Sequence, residues 1–173
     1  MLKRLRRNQK GFTLIELLVA IALTGIIGTA AAMSIHQILT GTVLSNDQNT
    51  AINQVRNAGY WISRDALMAK PGTIVVNNET AEQTFLVLSW ENWDGSENHT
   101  ATYKLLNLSD DLKELRRYYD GASTGTPIAR YIKPKGLGIT DCYWDGEVLT
   151  VNITAEVGDT TETRTFQVKP RPD

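Results

Sequence analysis

Hydrophobic positions change their spacing twice along this chain. From Phe12 to Ile35 apolar and small residues run almost unbroken, and Glu16 is the only charge among them. These 24 residues would make roughly 36 Å of helix at 1.5 Å per residue. That is enough to cross a hydrocarbon core of about 30 Å. After Met33 the pattern turns amphipathic. Ile35, Ile38, Leu39, then Ile52, Val55, Gly59, Ile62 and Ala66 recur at steps typical of one helix face. Asn46, Asp47, Gln48, Asn49 and Asn53 fill the gaps, and Lys70-Pro71-Gly72 stops the pattern. The spacing predicts one long helix from Phe12 to about Ala69, loosened around Gly41 to Asn49, whose second half packs against a sheet.

From Thr73 onward the period falls to two. Strands are predicted at Thr73–Val76, Thr84–Trp90, Ala101–Leu108, Leu112–Tyr119, Ile128–Ile132, Gly138–Trp144, Glu147–Val157 and Thr161–Val168. Asp120-Gly121 signals a turn. Asp145-Gly146 and Gly158-Asp159 read as tight hairpins. Leu149, Val151, Ile153 and Ala155 alternate with Thr150, Asn152, Thr154 and Glu156, the pattern of a half-buried antiparallel strand. One N-terminal helix packed on an antiparallel sheet is an α+β arrangement. The chain divides into a basic leader at 1–11, a hydrophobic helix at 12–35, its amphipathic continuation at 36–70 and a β-rich globular domain at 71–173. The tail from Lys169, with Pro170 and Pro172, should be extended.

Charge sharpens this picture. The net of −1 over 173 residues hides a leader with Lys3, Arg4, Arg6, Arg7 and Lys10 and no acid. Removing those five leaves 13 basic against 19 acidic residues, a net of −6. The positive-inside rule keeps the leader cytoplasmic and sends the rest outward. A mildly acidic outer domain is not the footprint of a general nucleic-acid binder. Cys142 is the only cysteine, so no intramolecular disulfide can form and packing must stabilise the domain. Cys142 itself reads as a small buried residue.

Little here suggests chemistry. His36 and His99 are the only histidines; they have no metal-ligand spacing, and one cysteine cannot complete a zinc site. Gly136-Leu137-Gly138 is too short for a phosphate loop and leads into a strand. No enzyme activity and no cofactor are expected. Asp94-Gly95-Ser96-Glu97-Asn98 offers oxygen ligands for a hard cation, but lacks the spacing of an EF-hand and reads better as a solvated turn. Trp90 and Trp93 flank it, more suited to capping the sheet core than to forming a contact patch.

Glu16 is the residue that composition does not explain. A charge inside a membrane helix costs about 2.5–3.5 kcal/mol on insertion scales and is a functional hypothesis by default. Lys10-Gly11-Phe12-Thr13-Leu14-Ile15-Glu16-Leu17-Leu18-Val19-Ala20, behind its basic leader, resembles the processing signal of the type IV pilin and pseudopilin superfamily. A secretory signal peptide is the ordinary alternative, with Ala30-Ala31-Ala32 imitating a cleavage site; an acid inside the apolar run is wrong for that class. A plain uncleaved anchor leaves Glu16 unexplained.

The resemblance implies a pilin fold, cleavage between Gly11 and Phe12 by a prepilin peptidase, and N-methylation of the new Phe12 amine. It implies as partners other pilin or pseudopilin subunits, an inner-membrane assembly platform and membrane lipid, and a location in the inner membrane and then in an extracytoplasmic filament. The new amine would lie four residues before Glu16, on the same helix face, and the resemblance implies that this pairing sets subunit register during assembly. Gly25, Gly28, Thr29, Ala30, Ala31 and Ala32 would permit close helix approach. Many relatives have a proline some 20 residues into the processed chain; Ala30-Ala31-Ala32-Met33-Ser34 has none, so no proline-dependent kink carries over.

Two further stretches look like J-type minor pseudopilins and W-type minor pilins: Gln54 through Ala66, with its Arg64-Asp65 step, and Pro127 through Ile132 followed by Gly136-Leu137-Gly138-Ile139. Arg64-Asp65 equally suits a solvated pair at a helix end. A major subunit is the alternative. DNA is a weaker partner expectation, resting on Arg116, Arg117, Arg130, Lys133 and Lys135 interleaved with Tyr118, Tyr119 and Tyr131. Strand alternation splits those residues between two faces.

Overall fold

A computed structural model describes residues 11–92, 95–109 and 111–171. The leader expected at 1–11 therefore lies, apart from Gly11, outside the described residues, as do Trp93 and Asp94. Helix α1 runs Leu14–Met68 without interruption; the loosening expected around Gly41 to Asn49 is absent. The hydroxyls of Thr40, Thr42 and Thr50 bond back to the carbonyls of His36, Ile38 and Asn46, so these polar residues satisfy themselves within the helix rather than opening it.

The chain separates into two compact units, residues 1–43 and 44–173. Within the second, the end of α1 buries Ala51, Val55, Ala58, Ile62 and Ala66, the face predicted from the periodicity. A short 3-10 turn at Pro71–Thr73 leads into eight strands: β1 Val75–Val76, β2 Thr84–Glu91, β3 Asn98–Asn107, β4 Lys113–Tyr119, β5 Thr126–Ile132, β6 Asp141–Trp144, β7 Leu149–Val157 and β8 Thr160–Val168. They form one antiparallel sheet ordered β1-β2-β3-β4-β5-β7-β6, with β8 on the other side of β7. This is the α+β, pilin-like architecture expected from the pattern. The core lies between α1 and the sheet and includes Phe85, Leu86, Leu88, Tyr103, Leu115, Ile132, Leu149 and Ile153.

The sheet curls. Ladder pairing slips between Lys113 and Leu115 against β5, and Tyr131 there has φ 61°. A bulge adds a residue and bends its strand; here it falls just before Ile132, which pairs with Lys113 of β4 on one side and Ala155 of β7 on the other. At the far end Asn78 bonds Cys142 of β6 through both its amide nitrogen and its oxygen. The β1 end thus meets β6.

Two turns depart from expectation. The strand predicted at Gly138–Trp144 starts only at Asp141. Gly138 is left-handed at φ 72°, and its N–H donates to Asp141 Oδ2 at 2.6 Å. Asp145-Gly146 is not a two-residue hairpin, because Trp144 pairs with Leu149. Asp145 Oδ1 accepts from the N–H groups of Glu147 and Val148, which widens the loop, and those bonds hold its carboxyl below the usual range. Gly158-Asp159 is the tight hairpin predicted, with Val157 opposite Thr160.

Candidate functional site

Gly11, Phe12 and Thr13 precede the first turn of α1, all exposed. Glu16 Oε2 accepts from Thr13 N at 2.9 Å, and Glu16 N donates to Thr13 Oγ1 at 3.3 Å. Thr13 Oγ1 also lies 2.9 Å from Glu16 Oε2. This is a capping box, in which a Thr at the cap and a Glu three residues later satisfy each other's free backbone donors. The sequence reading supplied Glu16 with an amine at Phe12 as its partner and missed Thr13. The signal was present as Thr13-x-x-Glu16 directly ahead of an apolar run.

Beyond it, the helix from Leu17 to Ile35 is exposed throughout. It is long and apolar enough to cross a membrane. Its hydroxyls are already satisfied: Thr24 donates to Ala20 O, Thr29 to Ile26 O and Ser34 to Ala30 O. An unsatisfied polar group in lipid costs several kcal/mol, so these internal bonds let the segment enter apolar surroundings. No other side-chain atom lies near where a Cβ on Gly25 or Gly28 would sit. His36 is exposed on the same helix.

In the second unit, Asp65 overturns the reading of Arg64-Asp65 as a solvated pair. Its side chain is fully buried. Tyr103 Oη donates to Asp65 Oδ2 at 2.5 Å, and Arg117 donates from Nε at 2.5 Å to Oδ2 and from NH2 at 3.2 Å to Oδ1. Burial and the neighbouring carboxylate push the Tyr103 phenol well above its usual range. Burial pulls Arg117 down, but the hydrogen bond and charge of Asp65 outweigh it and the net shift is upward. The guanidinium of Arg117 lies over both Trp61 and Tyr119, at 5.3 and 4.7 Å from the ring centroids. His99 stacks on Tyr119 and bonds Asp120 at 2.8 Å. That bond, with a second from Thr100 N, holds the Asp120 carboxyl down. Trp61, Trp90, His99 and Tyr119 line an open groove of about 440 Å³, but its ring faces are largely taken by each other and by Arg64 and Arg117. The cluster ties the end of α1 to β3 and β4.

The basic stretch considered for DNA is likewise committed within the protein. Arg116 pairs with Glu114, Arg117 with Asp65 and Lys133 with Glu156, while Arg130 lies 3.9 Å from Glu114. Lys135 is buried, bonds the carbonyls of Glu79 and Thr84, and is pushed down by that burial. Cys142 is buried, with its thiol pushed up to about 12 by desolvation. Trp90 is buried at the edge of the core. The cation-loop expectation falls partly on Asp94, outside the described residues. Among the described residues no three His, Cys, Asp or Glu side chains are placed to hold a metal ion.

Residues 6–32 match the model of the prokaryotic N-terminal methylation motif. Neither the curated proteins nor the solved structures give a match to this chain. The chain thus carries a prepilin-type N-terminal motif.

Proposed function

We propose that this chain is a non-catalytic filament subunit of the type IV pilus or type II secretion class, and within it a minor pseudopilin or minor pilin. The observation that carries the reading is the methylation motif at 6–32 opening directly into an exposed apolar helix. Prepilin peptidase cuts between Gly11 and Phe12, and the Phe12 amine is methylated. The helix first holds the subunit in the inner membrane, with the domain from residue 71 outside. It then moves into the apolar interior of a filament, on an assembly platform and among other subunits.

Glu16 makes that transfer specific. In the structure its carboxylate is held by Thr13. Cleavage creates a positive amine four residues earlier, and an unpaired charge in an apolar interior is heavily penalised. A neighbouring subunit's Phe12 amine can take over from the Thr13 bonds, so that only one axial register leaves the carboxylate paired. The minor-subunit assignment is supported by Gln54–Ala66 and Pro127–Ile132, which together build the contact between α1 and β5: Asn57 donates to Ile128 O and Gln54 accepts from Arg130 N.

The test is Glu16→Ala in cells carrying the assembly machinery. The variant is expected to insert and be processed but to be lost from sheared filament fractions. Incorporation equal to wild type contradicts the role given to Glu16.

A further inference from the structure

The sheet has one long edge left open. The β1 end meets β6 through Asn78 and Cys142, but β8 pairs only with β7. That pairing runs without a slip from Val157↔Thr160 to Leu149↔Val168. In a hairpin with a two-residue turn, the residues flanking the turn exchange both backbone bonds, and such pairs alternate along the ladder. Thr160, Glu162, Arg164, Phe166 and Val168 therefore spend their N–H and C=O groups on β7. Thr161, Thr163, Thr165 and Gln167 aim theirs away from it. All four are exposed, and among the described residues nothing bonds those outward groups.

Proteins blunt such edges with prolines, bulges, lysines or charges turned inward. Residues 160–168 hold no proline and no lysine, and the ladder has no bulge. The inward charges are present. Glu162 and Arg164 stand opposite Ala155 and Ile153, both buried, so the two charges lie on the core face of the sheet. They bond each other through Arg164 Nε and Glu162 Oε1 at 2.9 Å. The terminal amino groups of Arg164 and the second oxygen of Glu162 make no bond among the described residues. An apolar strand laid along this edge would bury both ions further and leave those atoms without partners, which is costly. A strand with a base opposite Glu162 and an acid opposite Arg164 satisfies them, and opposite charges facing across a ladder favour pairing.

We infer that β8 is a strand-addition site, which takes an extended antiparallel segment of a different protein with the pattern acid-x-base. In that sense the acid falls opposite Arg164, and the base, two residues later, opposite Glu162. Main-chain bonds to Thr161, Thr163 and Thr165 supply the affinity, and the two charged positions fix the register. β8 itself reads Glu162-Thr163-Arg164, so a second copy carries the same pattern, but the anchor forbids it. The end of α1 runs the same way as β8, since Asp47 meets Gly158 and Gly59 meets Phe166. Two copies paired antiparallel through β8 would have their 44–68 stretches pointing oppositely, with residue 44 at opposite ends of the pair. Copies held in one membrane by residues 12–35 cannot meet in that way. The exclusion of a second copy rests on the membrane reading given above; the open edge does not.

The probe is a fluorescent peptide with the sequence of residues 160–168, free of any anchor, added to the full chain in detergent and read by anisotropy. In the matching register its Thr163 faces Thr163 of the protein, so its odd-numbered N–H groups point at the edge and its even-numbered ones away. Saturable binding is expected. Methylating the peptide nitrogen at Thr163 should weaken binding about tenfold, and methylating it at Arg164 should not. A peptide with Glu162→Arg and Arg164→Glu should also bind about tenfold more weakly, and the same exchange made in the protein should restore it. No saturable binding, equal loss at the two methylation positions, or indifference to the charge exchange overturns the proposal. In a second arm, full-length Thr163→Cys in membranes is treated with a short bismaleimide; buried Cys142 contributes no background. Linked pairs should be no more abundant than with Asp111→Cys, which is exposed elsewhere. An excess at Thr163→Cys would make the occupant a second copy and overturn the assignment to a different protein. Leader removal, read by mass in the same membranes, reports independently on the filament reading.

Discussion

Asp65 offers the sharpest test of how the globular unit is held. The carboxylate is fully buried, and the Arg117 side chain beside it is 11% exposed. Asp65→Ala removes two bonds from Arg117, two longer ones from Arg64 and the acceptor for Tyr103 Oη, leaving the Arg117 cation in the core margin with nothing to neutralise it. Breaking a buried pair from one side costs about 3–5 kcal/mol, whereas replacing both partners by apolar groups is often neutral. Asp65→Ala should therefore lower stability by about 4 kcal/mol, a fall in Tm on the order of 10–20 °C for a domain of this size. Asp65→Leu combined with Arg117→Met should recover most of that loss. Urea unfolding of the detergent-solubilised chain, followed by tryptophan fluorescence, reads both variants, because Trp61 lies against Arg64 and Arg117. A loss below about 1 kcal/mol, the range of exposed pairs, would show that Asp65 behaves as a solvated residue and would refute the argument.

Two further outcomes follow from packing and ionisation. A Cβ on Gly59 would sit 2.1 Å from the ring carbons of Phe166, so Gly59→Ala should destabilise by about 1–3 kcal/mol through overpacking, measured by the same unfolding assay; an unchanged midpoint would show that Phe166 is free to move. Cys142 ionises only near 12 in the folded protein, above its ordinary value of 9.0, because of its burial. The unfolded chain releases that proton first, so this contribution is complete below about pH 9 and is lost as pH rises toward 12, by about 1.4 kcal/mol per unit. Cys142→Ala should flatten that alkaline decline, and a wild-type profile unaltered by the substitution would contradict it.

How much of this was legible in the sequence depended on the range of the interactions. The buried face of α1 and the alternation in β7 follow from local periods of three to four and of two, and both appear where the pattern put them except at Thr154, which is buried and donates to Ile139 O. The tight turn at Gly158 was readable for the same reason. Asp65 was not, since its partners lie 38 and 52 positions away, and an Arg-Asp step at a helix end looks the same whether solvated or buried. The late start of β6 and the four-residue loop at Asp145 arise from side chains capping backbone N–H groups, a competition that strand propensity does not register. The bulge at Tyr131 likewise depends on which strand β5 must reach next. At the N-terminus the balance reversed. Glu16 stood out by composition alone, and its partner Thr13 followed a capping pattern spelled out in the letters.

The central claim is that the first residues are a processing signal rather than a simple anchor. The most direct measurement is the intact mass of the protein from membranes of cells with and without prepilin peptidase. Loss of Met1 through Gly11 together with gain of one methyl group, only where the enzyme is present, is the expected result. A full-length, unmethylated chain in both would contradict it, leaving a membrane anchor and removing the filament role with it.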